Sequence, residues 1–327
     1  MSAVRTITCI GELLVDFIST QPGADLLEAT GFTKFAGGAA ANVAVGLAKL
    51  GVRSAFVGKV GDEPFGKFLS TQLRQYRVDV SGLCFDKEHR TRLAFVALTR
   101  SGDRSFEFWE RYPADEQLRG SDLNTQQIAD ADIIHVSSFL LIAEPSRSTM
   151  LNLAKKLHRR GCTISFDPNL RLPLWKSRAE AKRVMIRMAQ SSTILRLNEE
   201  EAQFLTGLRD CGLAARKLLS LGPQLVVVTR GAKGCCVVTE RSSMMVGGFR
   251  VHAVDTTGCG DGFMAGLLHG VVNIESGVDD LSTDELRPMC MHANAVAALT
   301  ATKPGVIAAL PTSAEVKRFL SRQERSW

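Results

Sequence analysis

Residues 131–167 read ADIIHVSSFLLIAEPSRSTMLNLAKKLHRRGCTISFD, and this stretch indicates the fold class. Its β-branched run Ala131–Ser137 predicts a strand, and apolar residues at helical spacing predict a helix over Ser146–Arg160. The run Thr163–Asp167 predicts the next strand. The same alternation continues along the chain, with predicted strands over Thr193–Asn198 and Leu225–Thr229. This pattern predicts an α/β fold with a doubly wound, mostly parallel sheet flanked by helices.

The first third of the chain differs because it contains segments that alternate with period two. Arg92–Thr99 and Arg104–Trp109 flank the turn-forming triplet Ser101-Gly102-Asp103, which predicts an antiparallel hairpin. We expect one domain over residues 1–327, with a small β-sheet lid drawn from about 12–36 and 84–112. Aromatic residues on this lid would exclude water from a site or pack against a second subunit: Phe95, Phe106, Phe108 and Trp109. A homodimer through the lid is expected, since exposed sheet edges gain stability by pairing.

The composition excludes some classes of protein. The 327 residues are 45% hydrophobic, but the longest apolar stretches, such as Ile133–Ala143, fall well below the ~18 residues of a membrane span. The formal net charge of +6 comes from scattered Lys and Arg, which suits anionic small molecules and does not form a nucleic-acid patch. The eight cysteines form no C-x-x-C pair, and Glu12 and Asp16 interrupt the first apolar run. We therefore expect reduced thiols and a cytoplasmic protein without membrane or nucleic-acid partners.

The strongest chemical signal is the stretch Val254-Asp255-Thr256-Thr257-Gly258-Cys259-Gly260-Asp261-Gly262. We place it between a strand over Phe249–Val254 and an apolar-periodic helix. Small residues there let backbone N–H groups face a ligand, and the helix N-terminus adds a positive field. Such a loop can hold phosphate oxygens, and Asp261 could accept a proton from a hydroxyl beside them. The alternative is a capped turn in which Asp261 is an ordinary N-terminal residue.

A second small-residue loop, Gly37-Gly38-Ala39-Ala40-Ala41-Asn42, leads into a predicted helix over Asn42–Leu50. Its glycines allow a ligand close to the backbone, and Asn42 offers both a donor and an acceptor, as a polyol site needs. Asp16 adds a carboxylate that can bind two vicinal hydroxyls, or can simply cap a strand end. A dinucleotide site competes for the Gly258 loop, but Phe263 occupies the third small position of that motif.

Together the two loops resemble those of the ribokinase-like (PfkB) family of sugar kinases. Other motifs fit that family in order over nearly the whole chain: Gly11-Glu12, Asn198-Glu199-Glu200-Glu201, Thr229-Arg230-Gly231 with Gly234, and Thr302-Lys303-Pro304-Gly305. Within the family, Pro113-Ala114-Asp115 and Asp167-Pro168-Asn169-Leu170-Arg171 are similar to the fructokinases. The resemblance implies an ATP-dependent kinase for the 6-hydroxyl of fructose, or alternatively for 2-keto-3-deoxygluconate.

The resemblance also implies roles for individual residues. Asp261 would be the base, with Gly258, Cys259 and Gly260 as the anion hole, and Arg171 would pair with the transferring phosphoryl group or the sugar. The sugar site would comprise Asp16, Gly37, Gly38, Asn42 and Phe95, and the nucleotide would lie against Thr229, Gly231, Gly234 and Asn294. Asn198 and Glu201 would position Mg²⁺ through its waters, and Asp255, Thr257 and Gly305 would bind a monovalent cation such as K⁺.

Two departures from the family pattern stand out: Arg230 occupies the place of a usual Lys, and Cys259 that of a usual Ala. Two other classes of function stay open. A fructokinase-like protein without catalysis is disfavoured by the retention of Asp261 and both loops. A nicotinamide-linked oxidoreductase is disfavoured by Phe263.

Overall fold

Two β-sheets organise the chain in a computed structural model that describes residues 5–21, 23–98, 104–123, 125–274 and 277–324. The strands are β1 (Thr6–Ile10), β2 (Leu14–Ser19), β3 (Phe32–Gly37), β4 (Arg53–Gly61), β5 (Asp79–Asp86), β6 (Leu93–Leu98), β7 (Arg104–Trp109), β8 (Ile133–Ser137), β9 (Thr163–Asp167), β10 (Ile194–Asn198), β11 (Leu225–Thr229), β12 (Cys235–Val238) and β13 (Ser243–Val246). The α-helices are α1 (Ala39–Leu50), α2 (Pro64–Gln75), α3 (Gln126–Ala129), α4 (Ser146–Arg159), α5 (Arg178–Ala189), α6 (Glu199–Thr206), α7 (Cys211–Leu219), α8 (Cys259–Val271), α9 (Thr283–Ala301) and α10 (Ser313–Glu324).

The main sheet has nine strands in the order β13-β12-β11-β10-β9-β8-β1-β4-β5. Neighbours from β11 to β5 pair in parallel, and β12 and β13 are antiparallel at one edge. Apolar residues are buried on both faces of this sheet, with Phe56 in one core cluster and Phe166 in the other. The order runs outward from β1 in both directions, so the prediction of a doubly wound, mostly parallel sheet is confirmed.

The lid is a four-stranded sheet in the order β3-β2-β6-β7. The strands β6 and β7 pair antiparallel, as the hairpin pattern predicts, and both lid segments supply strands. The predicted turn at 101–103 and the side chain of Phe106 lie outside the described residues. Residues 84–86 belong to β5 at the edge of the main sheet, so the second lid segment begins at β6.

Two local predictions differ from the structure. The segment over Phe249–Val254 is not a strand, because Phe249, Val251 and Ala253 line a cavity instead of pairing with a neighbour. Helix α1 begins at Ala39, before Asn42, because the carboxylate of Glu12 accepts the Ala39 N–H and extends the helix by one turn. Within the part of the chain that the structure describes, none of the helices could span a membrane.

Candidate active site

Two cavities lie next to each other near the carboxyl ends of β10 and β11. The first, of about 390 Å³, is lined largely by polar side chains and by one face of the lid; we call it the polar cavity. The second, of about 580 Å³, is lined mainly by apolar side chains of α8, α9 and the segment after β13; we call it the apolar cavity. They share Arg196, Asn198, Thr256 and Gly260. Two ligands bound in these cavities would therefore meet at one wall.

Asp261 lies in the first turn of α8 and lines the polar cavity. The residue is only 8% exposed, and Nδ2 of Asn42 donates a hydrogen bond to its Oδ2 at 2.7 Å. Burial raises the pKa of Asp261 to about 7, with Asp167 adding to the rise, whereas Asn42 and Arg196 oppose it. A carboxylate with a near-neutral pKa beside a polar cavity is suited to accept a proton from an alcohol.

The loop before α8 contains two positions at which a side chain would not fit. Gly258 has a φ of 74° in the left-handed region, and a Cβ there would collide with Val306. At Gly260 an added Cβ would lie 2.7 Å from Nη1 of Arg196. Cys259 lies between the two glycines and lines the apolar cavity. Since the first N–H groups of a helix lack intrahelical partners, this loop can bind phosphate oxygens.

The predicted sugar residues Asp16, Gly38 and Asn42 line the polar cavity together. Gly37 contributes differently, because the carboxylate of Asp16 packs against it and occupies the space of a Cβ. A side chain at position 37 would therefore displace Asp16. Asp16 and the loop that ends at Asn42, which the sequence singles out separately, therefore lie at one cavity.

Phe95 is the predicted sugar residue that the structure places elsewhere. Its ring stacks on Phe17, with centroids 5.1 Å apart, on the lid face that contacts α2. Ala94 and Phe108 are the residues of the lid hairpin that line the polar cavity. Side chains alternate between the two faces of a strand, so a shift of one residue decides which of them meets the cavity.

Arg171 lines the polar cavity at its exposed rim, beside Asn169. Glu201 holds this loop in place, because its Oε1 accepts the N–H of Leu170 at 2.7 Å. Its Oε2 accepts the N–H of Asn198 at 2.9 Å. Asn198 in turn caps α6 by accepting the Glu201 N–H, which completes a capping box. Burial raises the pKa of Glu201. These hydrogen bonds connect Glu201 to Asn198 and to the loop of Arg171.

The predicted nucleotide residues Thr229, Gly231, Gly234 and Asn294 all line the apolar cavity. Nδ2 of Asn294 donates to the carbonyl of Gly247 at 3.0 Å, which holds the segment after β13 against α9. Arg230, at the family's usual Lys position, forms an ion pair with Glu199 at 3.1 Å.

The three residues predicted to hold a monovalent cation are in contact. Oδ1 of Asp255 accepts the N–H of Thr257 at 2.8 Å and its hydroxyl at 2.7 Å. Oδ2 of Asp255 accepts the N–H of Gly305 at 3.2 Å. A carboxylate thereby joins the loop before α8 to the loop after α9, directly behind the predicted anion hole.

Two charged residues that line the polar cavity, Arg196 and Glu12, received no role from the sequence pattern. Arg196 lines both cavities, and Glu12 lines the polar cavity while accepting hydrogen bonds from Ala39 and from the Ser137 hydroxyl. A charged residue inside an apolar strand pattern, as in Ile194–Asn198, could have indicated Arg196. A charged side chain buried in such a strand needs a partner or serves a function. Burial raises the pKa of Glu12 as well.

Comparison with known proteins identifies the family of the chain. The family model described as pfkB family carbohydrate kinase matches residues 4–313. Probable fructokinase-7 of Arabidopsis thaliana is 42% identical over 318 residues, which cover 96% of this chain and 92% of that protein. A fructokinase variant from Vibrio cholerae O395, solved with fructose, ADP and potassium ion bound, has 35% identity and a TM-score of 0.87 over 97% of this chain and 98% of that one.

A fructokinase from Xylella fastidiosa, solved with bound ATP, has 29% identity and a TM-score of 0.89 over 98% of this chain and 99% of that one. The matches therefore extend over nearly the full length of the chain and of its relatives. They agree with the nine-stranded sheet flanked by helices and with the smaller four-stranded sheet. The chain belongs to the pfkB family of carbohydrate kinases.

Proposed function

We propose that this carbohydrate kinase transfers the γ-phosphoryl group of ATP to the 6-hydroxyl of fructose. The observation that carries the proposal is the position of Asp261, a buried carboxylate in the polar cavity beside the wall shared with the apolar cavity. The relatives named fructokinase, with their bound fructose, ADP or ATP, supply the substrate class. A kinase needs the acceptor hydroxyl and the terminal phosphate at one point, with a base beside them.

In this mechanism, Asp16 and Asn42 hold the sugar hydroxyls and the lid excludes water from the polar cavity. Asp261 takes the proton of the 6-hydroxyl as the oxygen attacks phosphorus. Backbone N–H groups of Gly258, Cys259 and Gly260 stabilise the negative charge on the transferring group. That of Cys259 exchanges its long hydrogen bond to the Thr256 carbonyl, 3.3 Å in the structure, for one to the phosphate. Catalysis is then mainly positioning and charge neutralisation.

Mg²⁺ would accompany the nucleotide, and the residues present fit a metal held mainly by phosphates and waters. Both carboxylate oxygens of Glu201 accept backbone N–H groups, and Asp167 pairs with Arg196, so neither is arranged as a direct ligand. No cluster of three or more His, Cys, Asp or Glu suited to a metal occurs within the described ranges. Asn198 lies at the shared wall, where it would orient the waters of the ion. Bound Mg²⁺ supplies charge neutralisation of the phosphates.

A panel of sugars tests the substrate assignment. With MgATP and coupled detection of ADP, we expect the highest kcat/KM for fructose. Asp16→Asn should raise the KM for fructose about 10- to 100-fold, the effect of losing a hydrogen bond to a charged group, with the KM for ATP unchanged. Activity on 2-keto-3-deoxygluconate without activity on fructose would overturn the assignment.

The pH dependence should follow Asp261. Its folded pKa of about 7 lies above the ordinary value of 3.8, so the carboxylate becomes protonated and loses its function as a base when the pH falls below neutrality. We expect kcat/KM to be flat above pH 8 and to fall about tenfold per pH unit below pH 6, since kcat/KM reports the free enzyme. A profile that stays flat from pH 8 to pH 5 would contradict the role of Asp261.

We also propose that K⁺ binds at the loops of Asp255, Thr257 and Gly305, where backbone carbonyl groups would be its main ligands. Both oxygens of Asp255 accept hydrogen bonds from Thr257 and Gly305, so this carboxylate holds the two loops together and adds its charge. The cation would set the conformation of the anion hole from behind. Replacing K⁺ by choline at constant ionic strength should lower kcat, and equal rates in both salts would exclude the site.

The edges of the lid bear on how the chain assembles, and its cysteines bear on where it is located. We propose one folding unit with its lid, acting as a homodimer through the lid, because Phe35 and Trp109 are 40% and 61% exposed on its two edge strands. Sedimentation at micromolar protein concentration tests this assembly, and a monomer there would refute the dimer. We assign the chain to the cytoplasm because none of its eight cysteines, all within the described residues, forms a disulfide, and cell fractionation tests this assignment.

A further inference from the structure

One buried cation lies at the wall between the two cavities. Arg196 projects from β10, where its Nη1 donates to Oδ2 of Asp167 at 2.9 Å and its Nη2 donates to the hydroxyl of Thr229 at 2.7 Å. Its Nε is buried and has no hydrogen-bond partner in the described part of the chain. The guanidinium has five N–H donors in a planar fork, so donors remain for a further acceptor.

The surroundings of Arg196 direct those donors towards the anion loop. The guanidinium packs so closely on Gly260 that a Cβ there would lie 2.7 Å from Nη1 and 3.0 Å from Nη2. The ring of Phe263 lies 5.9 Å from the guanidinium carbon and shields it from water. A charge held in such an environment acts on a nearby anion with little screening.

The other arginines near the site are placed differently. Arg171 lines only the polar cavity and Arg250 only the apolar cavity, and both are exposed. Arg230 lines neither cavity. Arg196 lines both cavities, so it faces the point where the acceptor oxygen and the donor phosphate would meet.

We propose that Arg196 is a catalytic residue that contacts the transferring phosphoryl group. The family resemblance assigns this contact to Arg171, and the mechanism above assigns it to the loop before α8. This inference rests on the proposed function. As the bond between the sugar oxygen and the γ-phosphorus forms and the bond from that phosphorus to the β,γ-bridging oxygen breaks, Asp261 receives the hydroxyl proton and ADP leaves with the bond electrons. Arg196 stays protonated and donates hydrogen bonds to the non-bridging oxygens, where negative charge is concentrated.

The test compares ground-state binding with binding of a transition-state mimic. In Arg196→Met and Arg196→Lys we expect kcat to fall about 10²- to 10³-fold, the loss typical of one charge-stabilising donor. Calorimetry should give affinities for ATP and for fructose within about threefold of wild type. The affinity for ADP with aluminium fluoride and fructose should fall by the same factor as kcat, because only the mimic carries transition-state charge.

A matched control separates this role from the loss of a buried ion pair. Arg147, paired with Glu180 at 2.7 Å away from both cavities, is similarly shielded, and Arg147→Met should retain wild-type kcat and mimic affinity. If Arg196→Met does not fold, Arg196→Lys decides, since it keeps a charge beside Asp167 but lacks the planar fork. Equal losses for ATP and for the mimic, or wild-type kcat in both variants, would overturn the inference.

The wild-type protein distinguishes failure of this inference from failure of the proposed function. If it phosphorylates a sugar other than fructose, the proposed substrate is wrong, and the same series with that sugar decides on Arg196. If it phosphorylates no sugar, both proposals are overturned.

Discussion

Asp261→Asn is expected to lower kcat by about 10³- to 10⁴-fold, at the upper end of what a positioned general base contributes. An amide is nearly the same size as the carboxylate and can still accept the hydrogen bond from Asn42, which is 2.7 Å long in the structure. It cannot take up the proton of the sugar hydroxyl. Steady-state ADP release with saturating fructose and MgATP measures the loss.

Stability provides the control for that variant. The folded pKa of about 7 exceeds the ordinary 3.8, so the folded protein binds more protons than the unfolded chain between these values, and ionisation of Asp261 destabilises the fold as the pH rises. The Asn variant should therefore be more stable than wild type at pH 8, with the advantage disappearing towards pH 4. Wild-type turnover in a folded Asn variant would refute Asp261 as the base.

Arg92→Met should lower the free energy of unfolding by about 3–5 kcal/mol, because it leaves buried carboxylates without a counter-charge. Nε of Arg92 donates to Oδ2 of Asp115 at 2.9 Å, and Nη2 donates to Oε1 of Glu116 at 2.7 Å. The side chains of Arg92 and Asp115 are only 4% and 2% exposed. Urea unfolding monitored by circular dichroism gives the difference.

The ion cluster of Arg92, Asp115 and Glu116 also lies close to the polar cavity. Arg92 directly precedes β6 and lies over the ring of Phe139 at 5.6 Å, and Phe139 lines the polar cavity. Arg92→Met should therefore also raise the KM for fructose. The triple variant with Asp115→Asn and Glu116→Gln removes the unpaired charges and should recover part of the lost stability.

An exposed ion pair supplies the comparison. Arg241 and Asp280 are 2.7 Å apart with side chains 69% and 50% exposed, so Arg241→Met should cost less than about 1 kcal/mol. If Arg92→Met lowers the free energy of unfolding no more than Arg241→Met does, the buried ion cluster does not stabilise the fold.

Much of the molecule follows from local sequence. The alternation of β-branched runs and amphipathic helices predicted β8, α4 and β9 to within two residues of their ends. The stretch around Gly258 and Asp261 predicted a helix N-terminus, which α8 provides. These features depend on interactions between residues close in the chain, where periodicity, caps and turn residues act directly.

Other features depend on contacts between residues far apart in sequence. Phe249–Val254 alternates like a strand but lines a cavity, and Phe95 faces α2 while Ala94 faces the polar cavity. Arg196 acquires its position from Asp167, Thr229 and Gly260, which come from β9, β11 and α8.

Most strands and helices, the two glycine loops and Asp261 can be read from the amino-acid sequence, because each depends on neighbours in the chain. Which side of each strand meets a ligand, and which cation is buried at the shared wall, depends on how distant segments pack. Burial arises only when distant segments pack, and it raises the pKa of Asp261 to about 7 although Arg196 and Asn42 oppose the rise.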